Sequence, residues 1–487
     1  MTEYHSMKEI VRYRQRAGGI HPKKALQFCS TLCILAERVN SDPGQTAMNR
    51  RHFLKSALLP AMTPVLLRCG RRGAAPPSER TAIGFIGTGN NGINWMRTFL
   101  SEKDVQVVAV CDVNTESDGY WDNTVRGRAV ARRIVEQHYS SETRSGLYRG
   151  CAEYVDFREL LARRDIDAVY IGTPDHWHAV MAIESARSGK DIFCQKPLAR
   201  TIAEGRAMVR AVEQYGVVFQ TGSQQRSDFN FRRVCELVLN GRIGTLHTVK
   251  CGLPGGTRDL NGKGDQVQSR PVPKGFDYDL WLGPAPYAPY CPARCHVNFR
   301  WIWDYSGGQV TDWGGHHPDI AQWGMAAERS GPTKIVNARV TWADHPIWNT
   351  AVGFYFECLY PSGVKLIVSN RLKGGVTFEG SRGTVWANRG RHDAWPKSIL
   401  NEKIAPDEIH LYRSDNHVRN FLDCVRSRRE PVAPVEAGHR SISIAHLGNI
   451  AMKLKRNLEW DPVRERFPGD EEANRFLAHP MRGPWHL

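Results

Sequence analysis

Residues 83–92 read Ile83-Gly84-Phe85-Ile86-Gly87-Thr88-Gly89-Asn90-Asn91-Gly92. The apolar start of this stretch predicts a β-strand, and the glycines after it have the G-x-G-x-x-G spacing. Gly87 permits a tight turn, Gly89 lets the backbone approach a pyrophosphate, and Gly92 lets the following helix pack closely on the strand. The helix N-terminus then offers free N–H groups to phosphate. The stretch therefore predicts a dinucleotide-binding turn.

A second apolar strand supports this interpretation. It covers 107–111 and ends at Asp112, 20 residues after Gly92, where the ribose-binding acid of such folds is found. An acid at this place repels a 2′-phosphate, and no arginine follows at 113 or 114, so we expect NAD rather than NADP. The alternative is an ordinary strand–turn–helix with a surface aspartate.

Composition excludes several classes of protein. With 487 residues, 41% hydrophobic and 9% aromatic, the chain is a globular protein of two or three domains. The formal net charge is +16, but residues 1–80 hold 14 Lys/Arg against 5 Asp/Glu. The rest has no basic run with interleaved aromatics, so we expect no nucleic-acid partner. The 12 cysteines lack zinc-knuckle spacing, and we predict no metal site.

The N-terminal region contains an export-type pattern, Met48-Asn49-Arg50-Arg51-His52-Phe53-Leu54-Lys55. It resembles a bacterial twin-arginine signal, and the apolar segment 53–67 is shorter than the ~20 residues of a membrane span. We expect Met48 to be the initiator, 1–47 to be a mispredicted extension or disordered, and 48–80 to be signal and linker. We then expect the protein to be exported to the periplasm, without a membrane span. The alternative is a chance arginine pair in a basic tail.

Strand and helix patterns alternate over 81–220, which predicts an α/β domain with a doubly wound parallel (Rossmann) sheet. One strand ends at Thr173-Pro174-Asp175-His176-Trp177-His178, and another ends at Gln195-Lys196-Pro197. Because functional groups gather at the carboxyl ends of such strands, these residues are expected near the glycine turn.

The pattern changes over 221–487. Apolar and polar residues alternate in four segments, which predicts an α+β domain with an open, largely antiparallel sheet: 245–250, 334–340, 351–358 and 364–369. Between them, Asp312 and His316 lie four residues apart, and a helix starting near Thr311 would place both on one face. An imidazole oriented by a carboxylate suits removal of a hydroxyl proton. The alternative is a helix-capping aspartate with core histidines.

These motif groups, in this order, resemble the Gfo/Idh/MocA oxidoreductases over about residues 83–485. The resemblance implies that Lys196 lies beside the nicotinamide and the substrate, although Gln195 replaces the family's glutamate. It also implies that Asp312 and His316 form the catalytic Asp-x-x-x-His pair with Lys196 nearby. A homo-oligomer and a helix at 415–456 that packs back on the first domain are further implications.

The predicted site has a cofactor half and a substrate half. The cofactor-binding candidates are Gly87, Gly89, Asn90, Asn91, Gly92, Asp112, Thr173, Pro174, His178, Gln195, Lys196 and Pro197. The substrate candidates, chosen for polar or sugar-stacking side chains, are Gln224, Arg226, Trp301, Tyr305 and His317.

The favoured function is an NAD(P)-dependent oxidoreductase that acts by hydride transfer on a hydroxyl of a small carbohydrate: a sugar, polyol or glycoside. A second interpretation keeps the site but is redox-neutral. Oxidation of a hydroxyl acidifies the neighbouring C–H, which permits glycoside elimination or epimerisation before the cofactor is regenerated. Export favours this version, because NAD would have to travel with the folded protein. A third is a non-catalytic sugar- or nucleotide-binding protein, which the intact Lys196, Asp312 and His316 argue against.

Overall fold

The computed structural model describes residues 79–143 and 145–487. The predicted extension at 1–47 and all but the last two residues of the predicted signal and linker at 48–80 lie outside this range. Within it, no helix has the length and apolar character needed to cross a membrane. The same part of the chain has no group of three or more His, Cys, Asp or Glu side chains placed to hold a metal ion.

Within the described residues, the first sheet has six strands in the order β3-β2-β1-β4-β5-β6, and all of its pairings are parallel. This is the doubly wound order, in which ligands bind where the strand order reverses. The predicted parallel sheet is confirmed. Its strands are β1 (Thr81–Ile86), β2 (Val105–Cys111), β3 (Ala152–Tyr154), β4 (Ala168–Ile171), β5 (Asp191–Cys194) and β6 (Phe219–Thr221).

Helices connect these strands and cover the sheet with apolar faces. Helix α1 buries Met96 and Phe99, and the Phe99 ring packs edge-on against Phe85 and Phe193 of the sheet, with centroids 5.5 and 5.6 Å away. The helices are α1 (Asn90–Leu100), α2 (Arg128–Ser140), α3 (Phe157–Leu161), α4 (Asp175–Arg187) and α5 (Ile202–Tyr215).

The second sheet has eight strands in the described range, in the order β13-β12-β11-β7-β10-β9-β8-β14. Only the β7–β10 pairing is parallel, which confirms the open, largely antiparallel sheet. Strands β11 to β14 are additional to the four predicted segments. The strands are β7 (Leu246–Gly252), β8 (Lys334–Trp342), β9 (Ala351–Leu359), β10 (Lys365–Ser369), β11 (Gly375–Gly380), β12 (Gly383–Asn388), β13 (Arg391–Trp395) and β14 (Leu458–Glu459).

The helices of this second part include two where one was predicted over 415–456. The first helix ends at Arg428, which has a left-handed conformation with φ +58°. Pro434 precedes the second helix. A proline cannot continue a helix from the preceding turn, so the two helices stay separate. The Phe421 ring of the first packs on Phe193 of the parallel sheet at 5.5 Å. The helices are α6 (Phe229–Leu239), α7 (Tyr278–Leu282), α8 (Gln309–Gly314), α9 (His317–Gly324), α10 (His417–Ser427), α11 (Val435–Leu454) and α12 (Glu471–Asn474).

A loop after β2, residues 114–127, meets the long segment 253–308 of the second part. The Thr115 amide donates to the Gly275 carbonyl at 2.8 Å. Three further contacts between the two segments pair Asn114 with Phe276, Asp118 with Lys263, and Gly119 with Asn261. We call these two segments together the strap; they form one wall of the cleft described next.

Candidate functional site

One cleft of about 390 Å³ runs from the glycine turn to the tip of the β12–β13 hairpin. This volume falls within the roughly 300–1000 Å³ of most small-molecule sites. Twelve of the predicted site residues line it: Gly87, Gly89, Asn90, Asn91, Asp112, Thr173, Pro174, Gln195, Lys196, Gln224, Asp312 and His316.

The glycine turn leaves no space for side chains. Gly87 has φ +88°, and a Cβ there would lie 2.7 Å from the Gly172 carbonyl carbon. A Cβ on Gly92 would lie 2.0 Å from the Gly87 oxygen, so the start of α1 rests directly on the turn. Gly89 caps α1 without a side-chain hydrogen bond. The turn and the first N–H groups of the helix therefore form a cradle that fits the diphosphate of a dinucleotide.

Asp112 lies at the end of β2 with both carboxylate oxygens hydrogen-bonded. Oδ2 accepts from the amide and hydroxyl of Thr88 at 2.7 and 3.0 Å, and Oδ1 accepts from the Asn114 amide at 2.9 Å. Burial raises the pKa of this carboxyl, and these bonds oppose the rise. No arginine follows Asp112 in sequence, yet Arg128 of α2 donates Nη1 to its backbone oxygen at 3.1 Å.

Lys196 and Asp312 form an ion pair in the wall of the cleft. Lys196 follows β5, and its Nζ donates to Asp312 Oδ1 at 2.8 Å and to the Asp312 carbonyl at 3.1 Å. Arg300 adds a second cation, with Nε 3.5 Å from Oδ1. Burial disfavours the charged carboxylate, but Lys196 and Arg300 outweigh it and hold the pKa of Asp312 well below its usual range. Asp312 therefore stays ionised, and its charge is balanced by Lys196 and Arg300.

His316 lies between two helices. The predicted helix from Thr311 through His316 is wrong: α8 ends at Gly314, Gly315 caps it, and α9 begins beyond His316 with Pro318 in its first turn. The glycine pair and the proline explain the break. No hydrogen bond joins the imidazole to Asp312 among the described residues, and buried Nδ1 has no partner there. Burial and the nearby Lys196 lower the pKa of His316 well below its usual value, so the ring is neutral.

Asp175 is a site residue that the sequence prediction omitted. It begins α4 directly after Thr173 and Pro174, is 3% exposed, and lines the cleft. Its Oδ2 accepts a hydrogen bond from Ser306 Oγ at 2.5 Å. Burial raises the pKa of this carboxyl to about 6, and Ser306 and Arg300 limit the rise. The cleft thus holds two carboxyl groups of opposite character, which is a common arrangement in acid–base sites.

Three of the cofactor candidates support the cleft from behind it. Gly92 contacts the glycine turn, and His178 joins the loops after β4 and β5. The His178 Nδ1 lies 2.8 Å from the Pro197 oxygen, and Nε2 lies 3.0 Å from the Thr173 oxygen. Burial lowers the pKa of His178 to about 4. His178 and Pro197 therefore shape the loop that carries Lys196 but do not line the cleft.

Four of the substrate candidates face the core instead of the cleft. Buried Arg226 makes a two-pronged pair with Asp319 at 2.7 and 2.8 Å. His317 places Nδ1 3.1 Å from the Gly252 oxygen. Trp301 and Tyr305 are buried in the aromatic cluster of segment 253–308. Their polar and aromatic character is used in packing, and only Gln224 of the five, all within the described part of the chain, lines the cleft.

Two further arginines line the cleft, Arg300 and Arg389. Arg389 lies at the turn between β12 and β13, and its guanidinium carbon is 4.8 Å from the ring centre of Trp313. No local pattern marks Arg389, because a strand hairpin 77 residues after Asp312 brings it to the site.

Two family models match the chain. Residues 81–223 match the NAD-binding Rossmann fold of an oxidoreductase family, and residues 230–487 match its C-terminal alpha/beta domain. The chain belongs to the Gfo/Idh/MocA oxidoreductase family. The predicted family is confirmed, and the match to an NAD-binding Rossmann fold supports a nicotinamide cofactor.

Curated relatives cover part of this Gfo/Idh/MocA protein. A "Glycosyl hydrolase family 109 protein" of Shewanella putrefaciens is 33% identical over 213 residues, which are 40% of this chain and 42% of the relative. An "Uncharacterized oxidoreductase YrbE" of Bacillus subtilis is 41% identical over 100 residues, 20% of this chain and 29% of the relative. The chain thus spans less than half the length of these relatives.

Solved structures share the fold across more of the chain. The WlbA dehydrogenase of Bordetella pertussis, in complex with NADH and UDP-GlcNAcA, has a TM-score of 0.55 at 17% identity, covering 78% of this chain and 99% of that one. The aldose-aldose oxidoreductase of Caulobacter crescentus, complexed with glycerol, gives the same TM-score, identity and coverage. At this identity the likeness establishes the fold.

Proposed function

We propose that this protein is a nicotinamide-dependent oxidoreductase that moves a hydride from a carbinol carbon of a sugar, polyol or glycoside. The observation that carries the proposal is that His316, the Lys196–Asp312 ion pair and the glycine cradle line one cleft. A nicotinamide bound there supplies the hydride acceptor. NAD is favoured over NADP because Asp112 is an acid at the ribose position.

His316 is the proposed base. Loss of hydride from a carbinol carbon requires loss of the hydroxyl proton, and a neutral imidazole with an unoccupied nitrogen accepts that proton. Lys196 stabilises negative charge that develops on the substrate oxygen. Asp312 positions the Lys196 ammonium group, since Nζ donates to both its carboxylate and its carbonyl.

The test uses purified protein with its own nucleotide and a pooled panel of monosaccharides, glycosides and polyols. Appearance of reduced-nicotinamide absorbance in the wild type, and its loss in His316→Gln with nucleotide still bound, is the expected result. A non-catalytic binding protein predicts no absorbance change in either. Turnover that survives both His316→Gln and Lys196→Met would refute the proposed residues.

A redox-neutral reaction is the second candidate. In this reaction a hydroxyl is first oxidised to a carbonyl, which acidifies the neighbouring C–H. The proton and the glycosidic group are then eliminated, and water adds in place of the glycosidic group. Reduction of the carbonyl restores the hydroxyl, so no net electrons are consumed. The strap, which walls the cleft on its cofactor side, and the relatives named as glycosyl hydrolase family 109 proteins favour this cycle. Product formation without added NAD supports it, whereas net accumulation of NADH excludes it.

We also propose that the protein is exported through the twin-arginine pattern at Arg50-Arg51 and acts as a homo-oligomer. A folded enzyme that retains NAD suits that export route. The test of export is fractionation of cells that produce the wild type or the Arg50→Lys/Arg51→Lys variant. We expect periplasmic protein only from the wild type, and equal distribution would contradict export by this signal. Light scattering of the purified protein tests the oligomer.

A further inference from the structure

Arg389 is a cation at the mouth of the cleft, and it forms no ion pair within 4 Å among the residues that the structure describes. It is exposed and stands on the turn between β12 and β13, with its guanidinium stacked on Trp313. Trp313 adjoins Asp312 in helix α8, and its ring contacts the His316 ring at 5.6 Å. Arg389 therefore borders the substrate end of the cleft rather than the glycine cradle.

The Nε of the Arg389 guanidinium has a hydrogen-bond partner, and the two terminal nitrogens have none among the described residues. With the amide of Gln225 oriented so that both of its ends are satisfied, its oxygen accepts from Arg389 Nε at 3.2 Å and its nitrogen donates to the His316 carbonyl at 3.2 Å. Within residues 79–143 and 145–487, no hydrogen bond or ion pair engages Nη1 or Nη2 of Arg389. The guanidinium is thus oriented while its terminal nitrogens stay available.

The carboxylates that line the substrate end of the cleft already have ion-pair or hydrogen-bond partners. Asp312 is shared by Lys196 and Arg300, and Asp175 accepts from Ser306. Lys196, Arg300 and Arg389 line the substrate end of the cleft together with Asp312 and Asp175. Asp228 also acts electrostatically on Arg389, but its Oδ1 accepts hydrogen bonds from the backbone and side-chain amides of Asn230. The terminal nitrogens of Arg389 therefore remain available to an anionic ligand.

We propose that Arg389 binds a carboxylate of the substrate, so that the enzyme acts on a sugar acid or glycosiduronate rather than on a neutral sugar. The inference rests on the proposed function. The two terminal nitrogens of a guanidinium match the two oxygens of a carboxylate in one plane. Stacking on Trp313 and the bond to Gln225 hold that plane in place before the ligand arrives, which reduces the ordering cost of binding.

The test measures binding of methyl glycosides of the gluco and galacto series to nucleotide-loaded protein. Each sugar is used as the neutral form, the 6-carboxylate and the 6-sulfate, and binding is followed by calorimetry. We expect at least one 6-carboxylate to bind about 10- to 100-fold more tightly than its neutral counterpart, as for one charge-assisted interaction. Arg389→Met should bring the ratio of 6-carboxylate affinity to neutral-sugar affinity close to one.

Arg391→Met is the matched control. Arg391 lies on the same hairpin and stacks on Trp386 at 5.4 Å, but it does not line the cleft, so its loss should leave the preference intact. The inference is overturned if no 6-carboxylate binds more tightly than its neutral form, if a 6-sulfate binds best, or if Arg389→Met weakens both forms equally. Because binding requires no turnover, absence of hydride transfer refutes the proposed function separately.

Discussion

The Nζ of Lys196 donates to Oδ1 of Asp312 at 2.8 Å across 116 residues of sequence. Lys196 follows a strand of the parallel sheet, and Asp312 belongs to helix α8 of the second part of the chain, so this contact joins the cofactor half of the cleft to the substrate half. The two side chains are only 14% and 16% exposed. Such a partly buried pair fixes the position of the ammonium group more than it stabilises the fold.

Lys196→Met should lower kcat about 10²- to 10³-fold, as expected on losing one stabiliser of developing negative charge, while bound nucleotide is retained. Lys190→Met is the control: its Nζ donates to the carbonyls of Arg163 and Ile166 at 2.6 and 2.9 Å, outside the cleft. It should reduce thermal stability without changing kcat. Equal loss of kcat in the two variants would contradict a role for Lys196 in the reaction.

The adjacent histidines provide a second matched pair. His316→Gln should lower kcat about 10²- to 10⁴-fold, because it removes the proposed base. His317→Gln should lower the melting temperature and leave kcat near the wild-type value, because His317 is buried against the Gly252 carbonyl. Steady-state kinetics and calorimetry on both variants measure this. The assignment fails if His317→Gln is the less active of the two.

Gly87→Ala should empty the nucleotide site. Residue 87 has a φ of +88°, which disfavours alanine, and the new Cβ would lie 2.7 Å from the Gly172 carbonyl carbon. The turn must therefore move away from the diphosphate position. Gly189→Ala has a similar φ of +70° but open space around the new Cβ. Both should be destabilised by roughly 1 kcal/mol, and the nucleotide content of the purified protein should fall only in Gly87→Ala. Full nucleotide content in Gly87→Ala would argue against the cradle.

The Asp175 carboxyl makes stability depend on pH. Its pKa rises from 3.8 in a solvated chain to about 6 in the fold, chiefly because it is buried. The folded state then binds more protons than the unfolded state between these values, so stability declines as pH rises through this window. Relative to Asp175→Asn, the wild type should lose about 2 kcal/mol of unfolding free energy from pH 4 to pH 7.

Urea unfolding of both proteins at several pH values measures the difference, with exposed Asp407→Asn as the control for a surface carboxylate. The difference between wild type and Asp175→Asn should grow with pH, and that for Asp407→Asn should stay flat. A pH-independent difference for Asp175→Asn would show that this carboxyl titrates alike in the folded and unfolded chain.

The parts of the site that sequence reasoning predicts are those set by local backbone rules. The spacing of Gly87 to Gly92 follows from the turn it must form, and Lys196 and Asp112 follow from the rule that strand ends gather at one edge. The sequence also contains the signal for the helix break before His316, because Gly314, Gly315 and Pro318 disfavour a continuous helix.

Other parts depend on distant contacts that no local pattern encodes. Asp175 was quoted within its motif, but its burial arises from Ser306, which is 131 residues away. Arg389 comes from strands that were not predicted. Conversely, Arg226 and Tyr305 have the chemistry of ligand contacts, yet they serve ion pairing and core packing. The two groups differ in whether the side chain lines the cleft, not in residue type.

The most direct measurement of the central claim is isotope transfer to the bound nucleotide. Nucleotide-loaded wild type and His316→Gln are incubated with a mixture of ring-deuterated sugars, glycosides, uronates and polyols, then denatured, and the released dinucleotide is analysed by mass spectrometry. The account predicts deuterium on the reduced nicotinamide released from the wild type and none from His316→Gln. Reduced dinucleotide without deuterium, or a protein that releases no nicotinamide dinucleotide, would contradict it.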